Sequence, residues 1–332
     1  MRHCLALLSG GLDSILAIRL MQQQGIGVEA VNFKTVFTCC QDQSAQAARD
    51  LNVPLTVIGQ DADYLDLIKT PKFGYGRGAN PCVDCRIYMF EKAKHYMEQV
   101  GADFIISGEV VGQRPMSQKR RDLERISYHS ELEDLLLRPL SAKLLPPTLP
   151  ERKKWVDRSQ LYDFHGRSRK GLIELAKRFG MEDIPSPSTG CALTETRFSK
   201  KVFDLNLRQP TSGLWDYGLL TIGRHFRLNA EVKAIVGRHE SENLQLEYLH
   251  QLPDATSSAL LRPREFSGPA VLLIGPMEKE TLAFAGGLIM RYGSTQDLSS
   301  EATIEVLGRE GTLFLAPTAC RSAQSAVPIT EC

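Results

Sequence analysis

The sequence predicts an α/β fold, a doubly wound parallel sheet with a second, smaller α+β domain behind it. Three observations predict it. A short apolar run, Cys4-Leu5-Ala6-Leu7-Leu8, passes directly into Ser9-Gly10-Gly11 and then into a helical pattern. Strand-like and helix-like segments alternate as far as Val110, as right-handed βαβ crossovers require. From about Leu214 the texture changes to short strands.

Residues 4–8 are apolar without alternation, as in a parallel strand buried on both faces. Leu12, Ile15, Leu16, Ile18 and Leu20 predict a helix over 12–24, stopped by Gly25. A second strand is expected over 28–37, an Ala-rich helix over 43–50 and a third strand over 54–58. A long helix over 81–100, ended by Gly101, leads to a fourth strand at 104–106. A basic helix is expected over 117–132, a proline break at 144–150 and a helix over 171–179. In the second domain, strands are expected at 219–222, 232–236 and 271–274. The domains are then 1–208 and 212–296, with 297–332 a weakly ordered tail.

The 332 residues leave room for two domains. Net charge is +1, so any nucleic-acid signal must be local. The first apolar run is too short for a signal peptide, and no stretch approaches the ~20 apolar residues of a membrane span. A cytoplasmic location and no membrane partner are expected. The eight cysteines should then be reduced thiols, available for metal binding or chemistry.

Ligands of doubly wound sheets bind at the carboxyl ends of the strands. The first such end carries Ser9-Gly10-Gly11-Leu12-Asp13-Ser14. The glycines let backbone N–H groups approach a phosphate, the following helix offers its positive end, and Ser9 and Ser14 add hydroxyls. Asp13 would repel phosphate but suits a Mg²⁺ held by pyrophosphate. The lysine of a GxxxxGK[ST] loop is absent. The loop resembles the PP-loop of the Rossmann-like ATP pyrophosphatases (adenine nucleotide α-hydrolases). That resemblance implies ATP and Mg²⁺, adenylation of a substrate oxygen and release of pyrophosphate. It also implies nucleotide contacts from Gly108, and Phe33 is a further candidate. Where the superfamily often has His after that glycine, this chain has Glu109, which puts direct phosphate contact there in doubt. Gln113 and Arg114, just beyond, are candidates to reach nucleotide or RNA.

Cys82 and Cys85 lie in Asn80-Pro81-Cys82-Val83-Asp84-Cys85-Arg86. Asn80 is suited to cap a helix and Pro81 to begin it, placing both thiols in the first turns. The helix dipole and Arg86 should lower their pKa. Cys191 follows in Gly190-Cys191-Ala192-Leu193-Thr194. Buried thiols, structural zinc and a cluster or sulfur-handling site are the competing readings; zinc lacks a fourth ligand. The two segments resemble a tRNA thiouridylase branch of the same superfamily. Some members hold a 4Fe-4S cluster on three cysteines, and others use two cysteines with a persulfide. With all three matched, the cluster on Cys82, Cys85 and Cys191 is the preferred expectation, and sulfide or a persulfide carrier the expected donor. Cys39 and Cys40 end the second strand and are candidates to face the same crevice.

Two stretches are locally basic. Arg120 and Arg121 lie in the first, and Arg167 in the second, residues 151–170, with seven Lys or Arg against three acids. The motif Val236-Gly237-Arg238-His239 resembles that of NFACT-type RNA-binding domains, which implies contacts to structured RNA by Arg224, Arg227, Lys233 and Arg238. Together the resemblances imply ATP-dependent thiolation of a tRNA uridine. Another adenylating enzyme, or a non-catalytic RNA-binding protein on the same scaffold, are the alternatives.

Overall fold

The computed structural model describes residues 2–37, 43–60, 62–185, 191–294 and 300–331. The chain divides into two units, Met1–Cys191 and Ala192–Cys332.

In the first unit, β1 (His3–Leu7) is the central strand. Cys4, Leu5 and Ala6 have at most 1% of their surface exposed, which accounts for the unbroken apolar run. β2 (Gly27–Lys34) and β3 (Leu55–Gly59) lie on one side, and β4 (Phe104–Ile106) and β5 (Leu136–Leu137) on the other. The order is β3-β2-β1-β4-β5, every pair parallel. The sheet therefore grows in opposite directions from β1, and the crevice opens between the carboxyl ends of β1 and β4.

Helices cover both faces. α1 (Leu12–Gln23) and α2 (Gln43–Leu51) share one core with Cys4, Ala6, Phe104 and Ile106. The short α3 (Ala62–Lys69) buries Tyr64, Leu65 and Ile68. α4 (Cys82–Val100) sets Val83, Ile87, Phe90, Ala93 and Met97 against Leu5, Val31 and Ile105 on the opposite face. α5 (Arg120–His129) adds Ile126 to that face. The proline break holds a one-turn helix, α6 (Leu149–Arg152), whose start is closed by Thr148 and Glu151. α7 (Lys170–Arg178) packs Leu172 and Leu175 beside α1.

α4 starts one residue later than expected, with Pro81 in the cap position and no side-chain cap. Asn80 is buried, and its carbonyl accepts the Gly76 N–H at 2.7 Å, so it closes the preceding loop. Asp84 does similar work, accepting the N–H groups of Lys72 and Phe73 at 2.8 and 3.1 Å.

The second unit opens with α8 (Thr196–Arg208) and α9 (Leu214–Leu219). Its strands are β6 (Arg224–Arg227), β7 (Lys233–Val236), β8 (Ala259–Arg264), β9 (Val271–Ile274), β10 (Thr303–Gly308) and β11 (Thr312–Leu315). They form one antiparallel sheet in the order β11-β10-β8-β9-β7-β6. α10 (Glu240–Gln251), α11 (Lys279–Tyr292) and α12 (Arg321–Ser325) complete the unit.

Three expectations need correction. α8 was expected in the first domain but belongs to the second unit: Lys201 donates to the carbonyls of Leu220 and Gly223, and Asp204 accepts from Arg227. The strand expected at 219–222 is the end of α9 and a turn. Gly223 there has φ +64°, and a Cβ on it would lie 2.6 Å from the Val236 carbonyl oxygen. The expected tail supplies β10, an interior strand. Its period-2 pattern buries Ile304 and Val306, and Arg291 of α11 binds the carbonyls of Ala323 and Ala326 in and beside α12.

Candidate functional site

The chain leaves β1 through Ser9-Gly10-Gly11 and enters α1. Gly10 has φ +79°, and a Cβ there would lie 2.6 Å from the Gln43 backbone of α2. Gly11 caps α1 without a side chain bonding its first-turn amides, and the end with its partial positive charge faces the loop. Ser14 Oγ donates to the Gly11 carbonyl at 2.8 Å, and Ser9 Oγ lies 3.5 Å from Ser14 Oγ. Gly108, just past β4, presses on the same turn. A Cβ on it would lie 2.4 Å from the carbonyl carbon of Asp13, so only glycine lets the two strand ends close.

Asp13 sits in the first turn of α1. Burial raises its pKa, against the hydrogen bond from Gln113 and the positive charges of Arg169 and Arg114. Among the described residues its Oδ1 is buried with no hydrogen-bond partner. A buried carboxylate oxygen without a donor, beside a glycine cradle, fits a Mg²⁺ ion. Phe33 lies near the carboxyl end of β2, paired with Ile58 and packed against the α4-side core.

Cys82 and Cys85 occupy the first turn of α4, both half-buried. Their pKa values are raised, contrary to the sequence expectation, because burial outweighs Arg86. Cys85 Sγ lies 3.4 Å from Tyr64 Oη, and the charges of Cys85 and Cys191 both act on that phenol. Among the described residues, no group of three or more His, Cys, Asp or Glu is arranged to hold a metal. The ligand set expected of Cys82, Cys85 and Cys191 is therefore not formed. Cys39, Cys40, the loop 186–190 and Cys332 lie outside the described residues. Cys4 is core, and Cys320 is half-buried at the start of α12.

Glu109 is turned to a structural task. It is 3% exposed, accepts from Arg138 Nε at 2.9 Å and Ser107 Oγ at 3.2 Å, and stands 3.7 Å from Arg86 Nε. Arg114 links the two halves of the crevice. Its charge acts on Asp13 on one side and Cys82 on the other, and its loop is pinned by Gln118, which binds the N–H groups of Arg114 and Gly112. Sequence reasoning missed Tyr64, because α3 carries no motif. It named the basic stretch at 151–170 but chose Arg167, which is exposed; Arg169 is the residue whose charge acts on Asp13.

Arg120 and Arg121 are exposed at the start of α5, with Arg120 Nε 3.4 Å from Glu124. In the second unit Arg224 lies 5.1 Å over the Tyr292 ring. Arg238 is committed to Glu242, to which its Nε and backbone N–H donate at 2.9 and 2.8 Å. Arg227 donates to Asp204 at 2.7 Å. Lys233 is 1% exposed, so the expectation that it meets RNA is wrong.

Residues 2–149 match the family model described as tRNA methyl transferase HUP domain, and residues 223–315 that of the NFACT protein RNA binding domain. The chain joins a HUP domain to an NFACT-type RNA-binding domain. The second match runs through β10 into β11, in keeping with their place in the sheet.

Curated relatives of the HUP half are named tRNA-specific 2-thiouridylase MnmA. That of Syntrophotalea carbinolica is 30% identical over 120 residues, 32% of this chain and 34% of the relative. That of Chlorobium chlorochromatii is 27% identical over 193 residues, 54% of this chain and 50% of the relative. The chain thus spans between a third and a half of the length of these relatives. A solved 4-thiouridine synthetase–RNA complex with bound ATP is similar at 21% identity and a TM-score of 0.38, over 54% of this chain and 41% of that one.

Proposed function

We propose that the protein is an ATP-dependent tRNA thiouridylase. One observation carries the reading. Gly108 closes on the Asp13 turn and its neighbour Glu109 stands 3.7 Å from Arg86, the residue after Cys85, so a phosphate-handling loop and a sulfur-handling helix share one crevice. The two domain matches and the thiouridylase relatives support RNA as the substrate.

Ser9, Gly10, Gly11 and Ser14 would cradle the pyrophosphate of ATP, with Phe33 and Gly108 beside the nucleotide. Asp13 would hold Mg²⁺, which when bound supplies charge neutralisation for the leaving pyrophosphate. A uridine carbonyl oxygen attacks the α-phosphorus, and pyrophosphate leaves. Sulfur then enters through thiols. No described residues form a cluster site, while Cys85 and Cys191 both act on one phenol. A persulfide carrier donates a sulfane sulfur to one of the two. Its terminal sulfur attacks the activated uridine carbon and AMP leaves. The second thiolate attacks the inner sulfur, the S–S bond breaks, thiouridine departs and a Cys85–Cys191 disulfide remains, which an external dithiol reduces. Arg120, Arg121, Arg167 and Arg224 are the proposed tRNA contacts, while Arg238 holds Glu242 in the motif.

Purified protein should release pyrophosphate from ATP only when tRNA is present. Anaerobically prepared protein should be colourless; a brown protein absorbing in the visible would overturn the thiol route in favour of the cluster.

A further inference from the structure

Tyr64 has the surroundings of a core residue and the contacts of a site residue. It is 2% exposed, with the Tyr88 ring 5.2 Å and the Phe37 ring 6.5 Å away. A buried phenol needs hydrogen-bond partners. This one bonds the Thr35 side chain and approaches Cys85 Sγ at 3.4 Å. Burial and the charges of Cys85 and Cys191 push its pKa well above the usual value. The phenol therefore stays protonated when Cys85 is ionised, and toward a thiolate it can only donate.

We propose that Tyr64 is a catalytic hydrogen-bond donor to the Cys85 sulfur, holding that thiolate for sulfur exchange with Cys191. The role rests on the thiol route proposed above. Tyr64 forms no covalent bond and loses no proton. Its hydrogen bond offsets part of the cost of holding a thiolate in a half-buried pocket. The other charged or titratable groups that act on Cys85 are Arg86, which favours the thiolate, and Asp84, which opposes it. Cys82, on the same turn of α4, is raised by Cys85 in its turn. Tyr64 touches Cys85, and the charge of Cys191 acts on the same phenol.

Tyr64→Phe removes the hydroxyl and keeps the ring contacts. The rate of Cys85 alkylation by iodoacetamide, read by peptide mass spectrometry across pH, should shift to higher pH. At pH 7.5 it should fall about tenfold. In tRNA thiolation, kcat should fall by a similar factor with KM for tRNA unchanged, and tRNA-dependent pyrophosphate release should persist. A wild-type alkylation profile in Tyr64→Phe would overturn the proposal, as would a loss confined to KM. Thr35→Val controls for packing: it removes the other partner of the phenol and should leave the Cys85 profile in place, and an equal shift there would also overturn it. The alkylation profile needs no tRNA or ATP. A shifted profile in a protein that thiolates nothing would remove the sulfur-transfer role by removing the function, and so separates the two failures.

Discussion

The two domains use positive charge in opposite ways. In the HUP domain, the charges of Arg86, Arg114 and Arg169 act on Asp13 and on the thiols of α4. In the RNA-binding domain, cations named from the sequence are engaged internally. Arg238 holds Glu242 and Arg227 holds Asp204; Lys201, which the sequence did not single out, binds two carbonyls at the turn before β6. Lys233 is buried beside Asp204 at 4.0 Å. Charge in a motif is thus no measure of charge offered to a ligand. In one domain it surrounds an orphaned carboxylate oxygen; in the other much of it stabilises the frame.

The contrast breaks first at Asp13. Asp13→Asn should lower tRNA-dependent pyrophosphate release by roughly 10²-fold or more and leave tRNA affinity within about twofold, measured by coupled phosphate assay and filter binding. Equal losses in both would mean that the crevice binds RNA rather than activating it. Gly108→Ala comes next. Its Cβ would collide with the Asp13 backbone, and overpacking of this kind costs about 1–3 kcal/mol. It should lower Tm and weaken ATP binding by calorimetry.

In the RNA-binding domain, Arg238→Ala should cost stability more than affinity. Burial works against the Glu242 carboxylate, but hydrogen bonds from Arg238 and the Gly223 amide outweigh it and hold its pKa at about 2. Removing Arg238 leaves that acid underpaired, at roughly 1–3 kcal/mol. Arg224→Ala should do the reverse: little change in Tm, weaker tRNA binding and a salt dependence shallower by about one unit.

The smallest effect is on pH dependence. Burial lowers the pKa of Lys201 and Lys233 to about 8, from an ordinary value of 10.5. Between those limits the unfolded chain binds more protons than the folded one, so stability should rise with pH from about 8 to 10.5. Lys233→Met should flatten that rise and stabilise the protein at pH 7, read by denaturant melts.

The sheet and its ligand end were legible because both depend on local pattern. The apolar run of β1, the following glycines and the strand–helix alternation leave little freedom in topology. The antiparallel unit was less legible. Thr303-Ile304-Glu305-Val306 is a plain period-2 strand whose place inside the sheet depends on long-range pairing with β8. The residues of the candidate crevice that the sequence singled out, Asp13, Gly108 and Cys85, each sit in a motif. Tyr64 and Arg169 were not, since tertiary packing alone brings them to the thiols and the carboxylate. The thiol pKa shifts went the wrong way because a sequence shows Arg86 but not how deeply the neighbouring sulfurs are buried.

The central claim is that one crevice couples ATP to sulfur insertion. Nucleoside mass spectrometry after incubating unmodified tRNA with the protein, ATP, Mg²⁺ and a persulfide donor tests it most directly. The account predicts one thiolated uridine that appears with wild-type protein and is absent with Asp13→Asn, Cys85→Ser and Cys191→Ser. Thiouridine formed at the wild-type level by Cys85→Ser, or none formed while pyrophosphate is released, would contradict it.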